Sequence, residues 1–345
     1  MSVAIYYHRG NIFRLQRFMC VCMQLRIRLP IVLLRQWSLY LQVSTISGGI
    51  SNALYKVEDT TRCIKIVVRV YGDNTEKFVD RKEEVGMMEL LHNKGFGPQV
   101  LGTFANGRIE SFLELTCLQP NDISKPLVIK SIAKTLAEFH LVSKTWEAPE
   151  TAMTPFERTK EWLLTSKSMD FSGCKKSNDL YNSLRVDRML EEVDIVANAS
   201  KCFESPVVLC HNDLLSGNIM VERDGDLIRQ MTFIDFEYAD WAPRGFDLGN
   251  HFCEYAGFEG DYSKYPTDPS MFVREYLCAY QGRQPSQSQI EQVVKEANVF
   301  ALAAHLYWAA WSILQAKWSS IDFDYMEYAS VRLHEYYKRK DEFLN

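Results

Sequence analysis

The sequence predicts a two-lobed α+β fold, a small antiparallel-sheet lobe followed by a larger, mostly helical lobe. Three observations predict it. Residues 43–117 alternate apolar and polar positions in short runs broken by glycine turns. Beyond Pro120 the apolar spacing becomes helical. Two short apolar runs, "PVVLC" and "MTFIDF", bracket the polar segment "HNDLLSGNIM", His211–Met220. A chain of 345 residues can build two such lobes.

Residues 1–42 stand apart. They contain Arg9, Arg14, Arg17, Arg26, Arg28 and Arg35 and no acid, so a net charge of −5 leaves −11 on the rest. The segment is Arg-rich like a transit peptide but poor in Ser, and its longest apolar run, Leu29–Leu34, is far too short to span a bilayer. Its composition assigns it no fold and fits a targeting segment less well than a nonstandard or misassigned start. No transmembrane segment is expected. A net negative chain also excludes a nucleic-acid footprint. Nine cysteines without a C-x-x-C pair suit free thiols in a reducing, cytoplasmic compartment.

In the small lobe, residues 43–117, "LYLQVSTI", "NALYKVED" and "IKIVVRVY" read as strands, with "SGGISN" turning between the first two. "DRKEEVGMMELLHNKG" reads as a helix with Asp80 as N-cap, Glu83 three residues on and Gly95 ending it. A hairpin follows, with Asn106-Gly107 as its turn. In the large lobe, residues 118–345, "LVIKSIAKTLAEFHLV" and "VDRMLEEVDIVANA" are helical. Residues 147–178 read as loop with short helix, and Glu291–Lys317 as one long helix.

The polar segment poses the functional question, because close polar side chains are costly to bury without partners. Asp213 and Asn218 are five residues apart, and Asp235 follows an apolar run seventeen residues later. Each alone is an ordinary turn residue. Together, between apolar strands, they match the order D-x4-N…D of phosphoryl-transfer sites. One carboxylate (Asp213) accepts the proton of the attacking hydroxyl, and an amide oxygen (Asn218) and a second carboxylate (Asp235) suit Mg²⁺, a hard cation. His211 reads as an orienting residue. Upstream, the glycines of "SGGISN" let backbone N–H groups approach phosphates. Arg69, at the end of the third strand, stands where protein kinases place a phosphate-gripping lysine, with Glu84 as its expected partner.

Taken together, "ISGGISNALYKV", "VVRVYG", "LCHNDLLSGNIM", "FIDFEYADWAPRGFDLGNHFCEYAGF" and "WAAWSILQAKWSSIDFDYMEYA" resemble the choline/ethanolamine kinases over residues 44–337. The Leu214-Leu215 pair places the chain nearer ethanolamine kinases, since choline kinases usually have Gln at the position of Leu215. The resemblance implies a protein-kinase-like fold with the reaction in a cleft between the lobes. It implies Asp213 as base, Asn218 and Asp235 at Mg²⁺, and Ser47, Gly48, Gly49, Ser51, Asn52, Arg69 and Glu84 around ATP. It implies an amino-alcohol subsite drawn from Tyr238, Glu254, Trp308, Trp311, Phe323 and Tyr328. Physical chemistry agrees: a carboxylate pairs with a small ammonium ion, and tryptophan faces attract it. From spacing alone Trp308 and Trp311, which share a helix face, read as core packing.

The implied reaction is phosphoryl transfer from ATP to ethanolamine, feeding phosphatidylethanolamine synthesis; choline is the alternative acceptor. An aminoglycoside-type phosphotransferase shares the polar layout but should want several carboxylates for its polycationic substrate. A catalytically inactive nucleotide-binding scaffold is the rival from another class. Oligomeric state is not legible. Asp247 reads as structural, His305 as a satisfied core histidine, and Cys210 as an unreactive strand residue.

Overall fold

Short antiparallel strands open the described part of the chain, as the alternating pattern requires. In the computed structural model residues 41–46, 52–72, 80–146, 148, 152–319 and 321–345 are described. The chain divides into two units: the described residues up to His92 with Pro98–Glu114, and Asn93–Gly97 with Leu115–Asn345. The basic segment 1–40 and the turn residues Ser47, Gly48, Gly49 and Ser51 lie outside the described residues.

The first unit is a five-stranded antiparallel sheet of β1 (Leu41–Ile46), β2 (Asn52–Asp59), β3 (Ile64–Tyr71), β4 (Val100–Phe104) and β5 (Gly107–Ser111), in the order β1-β2-β3-β5-β4. Helix α1 (Arg81–Asn93) begins where Asp80 accepts the N–H groups of Lys82 and Glu83 at 2.9 and 3.1 Å, the cap the sequence signals. The β4–β5 hairpin forms, but its turn is Ala105-Asn106 rather than Asn106-Gly107. Gly107 is already in β5, where any Cβ would lie 2.2 Å from the Arg69 carbonyl. Its glycine serves a close approach of strands, not a left-handed turn.

The second unit contains the strands β6 (Thr116–Cys117), β7 (Val207–Cys210), β8 (Ile219–Asp224), β9 (Leu227–Phe233) and β10 (Asp240–Pro243), paired as β6-β8-β9 and β10-β7. Its helices are α2 (Pro126–Leu141), α3 (Pro155–Ser166), α4 (Lys175–Leu184), α5 (Val186–Ser200), α6 (Arg244–Cys253), α7 (Ser270–Gln281), α8 (Gln287–Trp318) and α9 (Tyr325–Leu344). The stretch read as loop with short helix holds all of α3 and the first turn of α4. Helix α3 starts with a capping box in which Thr154 and Glu157 exchange hydrogen bonds.

Helix α8 is the axis of this unit, packed against α9, α6, α3 and α5. It is long and apolar enough to cross a membrane, but 89% of its most apolar window is buried inside the protein, as in the core helix of a globular unit. Alanines 301, 303, 304, 309 and 310 give it a smooth surface, and α6 lies directly on it. At Gly249 a Cβ would sit 2.4 Å from the Ala297 carbonyl and 2.5 Å from the Ala301 nitrogen, both backbone atoms that cannot rotate away. Gly249→Ala should therefore force the helices apart and cost about 1–3 kcal/mol, read as a lowered urea midpoint with unchanged denaturant slope.

Candidate active site

Strand β7 delivers the chain into the polar segment, and a buried carboxylate catches it there. Asp247, on α6 and fully buried, accepts the backbone N–H groups of His211 and Asn212, each at 2.7 Å, and His140 Nε2 at 2.9 Å. His140, on α2, is held in turn at Nδ1 by the Tyr276 hydroxyl of α7 at 2.7 Å. Burial pushes the Asp247 carboxyl up, but His140 and the His211 N–H outweigh it and hold the group below the ordinary aspartate range. Asn212 takes a left-handed φ of 63°, which asparagine tolerates, and donates to the Tyr238 carbonyl at 2.9 Å. Asn250 then donates to the Asn212 carbonyl at 3.0 Å. The tight turn is bonded from both sides, and Asp213 leaves it in a defined direction.

Asn218 Nδ2 donates to the Asp213 carbonyl at 2.8 Å and to its Oδ2 at 3.0 Å. The Asn218 carbonyl accepts the Ile234 N–H at 3.0 Å, which ties the loop to the segment that carries Asp235. Asp235 has a φ of 66°, a conformation costly for aspartate and kept here by its surroundings. Asp213, Asn218 and Asp235 are thus brought together within one unit. Burial, then the negative charges of Glu254, Asp235 and Glu237, raise the Asp213 carboxyl well above its usual value, against the Asn218 hydrogen bond. Part of the Asp213 residue stays accessible all the same. His211, fully buried, donates at Nε2 to the Ile234 carbonyl at 3.0 Å and accepts the Asp213 N–H at Nδ1, so it orients the loop as expected.

The aromatic residues expected around an amino alcohol form one connected group in the same unit. Tyr238 meets Trp308 at 5.3 Å and Trp311 at 6.5 Å between ring centres, and the two tryptophans meet at 5.4 Å. Phe323 and Tyr328 follow at 5.7 Å. Tyr238, Trp311, Phe323 and Tyr328 are half-buried, whereas Trp308 is buried, its Nε1 fixed to Asn250 at 2.8 Å. Trp308 is therefore core, and Trp311 shows the partial exposure of a site wall. Glu254 adjoins this group, with one carboxylate oxygen on Arg332 at 3.3 Å. Glu254 and the phenols of Tyr238 and Tyr328 share an electrostatic field with Asp213.

In the first unit the residues expected around a nucleotide lie in a buried ion network. Arg69 and Arg108 face each other across β3 and β5, a like-charge pair that would repel. Glu110 resolves this by accepting Arg69 Nε at 3.0 Å and Arg108 Nε at 2.6 Å. Glu84 lies 2.8 Å from Arg108 Nη1, an ion pair without hydrogen-bond alignment, and accepts Arg81 at 2.8 Å. The expected Arg69–Glu84 link thus runs through Glu110 and Arg108. Asn52 is buried at the start of β2.

Comparison with known proteins now decides the family. The family model for choline/ethanolamine kinase matches residues 43–337. The chain belongs to the choline/ethanolamine kinase family. A protein of Dictyostelium discoideum named probable ethanolamine kinase A is 40% identical over 88% of this chain and 87% of its own. One of Arabidopsis thaliana named probable ethanolamine kinase is 36% identical over 86% and 79%. The structure of an ethanolamine kinase from Plasmodium vivax matches with a TM-score of 0.79 at 27% identity, covering 95% of this chain and 89% of that one. An aminoglycoside 2'-phosphotransferase, at 14% identity over 94% of this chain and 99% of its own with a TM-score of 0.58, shares the fold. The chain is accordingly a phosphotransferase of protein-kinase-like fold.

Against this family frame, several residues of the site escaped the sequence. His140 is 107 residues from Asp247 and carries no local mark. Asn250, which joins the loop to Trp308, stood in plain view within "DLGNHF". Phe258 and Tyr325 extend the aromatic group, at 6.3 and 4.8 Å from Phe323. His305 is core but only half satisfied: Nε2 meets the Cys253 sulfur at 3.7 Å and Nδ1 has no partner among the described residues.

His251 supports the loop from below, its Nδ1 donating to the Leu214 carbonyl at 2.9 Å while Nε2 is buried without a partner among the described residues. A second proton would land on that bare nitrogen, and burial lowers this histidine from 6.5 to about 4. Between those values the unfolded chain binds the proton and the folded one does not, so stability falls as pH drops. Roughly 3 kcal/mol is lost per such histidine across the window. His251→Gln should flatten the urea stability profile between pH 6.5 and 4 by close to one proton.

Proposed function

We propose that the chain transfers the γ-phosphoryl group of ATP to the hydroxyl of ethanolamine. The observation that carries the reading is Asp213, a carboxylate aligned by Asn218 and coupled by charge to Glu254 at the edge of a half-open aromatic group. The names of the relatives support the same acceptor. Ethanolamine is an ammonium ion at neutral pH. One Glu254 oxygen accepts from Arg332, and the partly exposed carboxylate can receive an N–H of the amine at the other. Trp311, Tyr238, Phe323 and Tyr328 supply ring faces for the cation.

In the reaction the acceptor oxygen attacks the γ-phosphorus, the bond to the β-phosphate oxygen breaks, and ADP leaves. Asp213 accepts the hydroxyl proton at a carboxylate that Asn218 aligns. Asn218 and Asp235 would hold Mg²⁺, which when bound neutralises charge on the phosphates. Their chemistry fits: the Asn218 amide spends its N–H₂ on Asp213 and leaves its oxygen for a hard cation, and Asp235 adds a carboxylate. In the first unit, Arg69 and Asn52 are the described residues assigned to ATP, with Glu84 reaching Arg69 through Arg108 and Glu110. On this reading phosphoethanolamine supplies phosphatidylethanolamine synthesis.

The hydrogen-bonded Asp213–Asn218 pair supports turnover over a nucleotide-binding scaffold. The test is purified protein with Mg²⁺-ATP and each amine in turn. Ethanolamine should exceed choline in kcat/KM by at least roughly tenfold, on the order of 1.4 kcal/mol; parity or a choline advantage overturns the acceptor. Asp213→Ala should lower kcat by at least about a hundredfold while the protein stays folded. Nucleotide binding without turnover of either amine would select the scaffold.

A further inference from the structure

A fully buried arginine stands behind the acceptor residues and was not part of the site read from the sequence. Arg332, on α9, is 1% exposed. Its Nη1 donates to Glu254 and to the Tyr328 hydroxyl, both at 3.3 Å, and its Nη2 to the Ala304 carbonyl of α8 at 3.2 Å. Nε is buried without a partner among the described residues. A guanidinium cannot shed its charge, so this cation must be balanced where it stands. The balance comes from a residue of the acceptor group, and Tyr328 lies one helical turn before Arg332 on the same face.

Resting on the reading of the chain as an ethanolamine kinase, we propose that Arg332 is a positioning residue for the acceptor amine. It orients Glu254 and Tyr328 from behind and keeps Glu254 ionised, so that one carboxylate oxygen is presented to the ammonium ion. Two observations support the second role. Glu254 is nearly enclosed, with a side-chain exposure of 11%, and burial already raises its carboxyl against the pull of Arg332. Its other titratable neighbours give no help: Asp213 on the loop, Cys253 beside it, Tyr262 beyond it and Tyr328 on α9 are acids or neutral groups. Among the described residues Arg332 is the cation that acts on it. Without that charge, burial acts on Glu254 unopposed and the carboxylate's attraction for the amine weakens.

The test compares Arg332→Gln and Arg332→Lys with the parent enzyme in steady-state assays at pH 7 and pH 8.5. Arg332→Gln should raise the KM for ethanolamine at least about tenfold at pH 7, with kcat and the KM for ATP within about twofold of the parent. Raising the pH should recover part of the loss, because Glu254 then ionises unaided. Arg332→Lys keeps the charge but not the fork, so its smaller KM increase should not depend on pH. Should the buried charge prove indispensable for folding, Tyr328→Phe removes one anchor of Nη1 and should raise the ethanolamine KM by about threefold. The proposal is overturned if the folded variants leave the ethanolamine KM unchanged, or if kcat and both KM values move together. Parent turnover of ethanolamine in the same assay judges the acceptor assignment separately.

Discussion

One buried carboxylate holds the candidate site in shape. Asp247 gathers two consecutive backbone N–H groups from the loop and a histidine from α2, while α6 anchors it beneath. A loop that must expose a reactive carboxylate cannot satisfy its own backbone with sheet or helix partners. Asp247 supplies that satisfaction from a distant element, and its charge strengthens each bond in the dry interior. The left-handed turn at Asn212 and the direction of Asp213 follow from it.

Both units handle buried charge by the same rule: an ion is kept inside only where opposite charges and hydrogen bonds surround it. In the first unit Glu110 bridges two arginines that the strand register sets opposite each other, and Glu84 lies against one of them. In the second, Arg244 lies against Glu296, and Arg332 against Glu254. Each network depends on all its members, because removing any one strands a charge in a medium that cannot solvate it. Fixed partners are what a phosphoryl-transfer site needs, since its chemistry is mostly positioning.

Helix α8 joins stability to function. Its alanine-rich surface admits α6 at backbone contact, which brings Asn250 to Trp308 and Asp247 to the loop. Three residues further on, Trp311 turns the same helix into a wall of the aromatic group, its Nε1 donating to the Tyr238 hydroxyl at 2.8 Å. The packing that makes the core also sets the geometry of the aromatic group.

The sequence by itself determined what depends on local order. Period-two alternation marked β1 and β2, a denser apolar run marked β3, Asp80 marked the start of α1, and the spacing of Asp213, Asn218 and Asp235 marked three side chains that the fold brings together. The helix at Pro155 was also legible through Thr154 and Glu157, but its polar surface masked the period. Short strands such as β8 and β10 escaped because "IMVERD" and "DWAP" show no alternation and owe their conformation to their partners. Only the tertiary structure decided that Trp308 is core while Trp311 stays half-exposed, that Glu110 and Arg108 stand between Arg69 and Glu84, and that Arg332 backs Glu254. The physical reason is range. Propensity, capping and periodicity act over a few residues and leave their mark in the string, whereas a buried ion finds its partner wherever the folded chain brings one, here 78 residues away for Arg332 and 107 for His140.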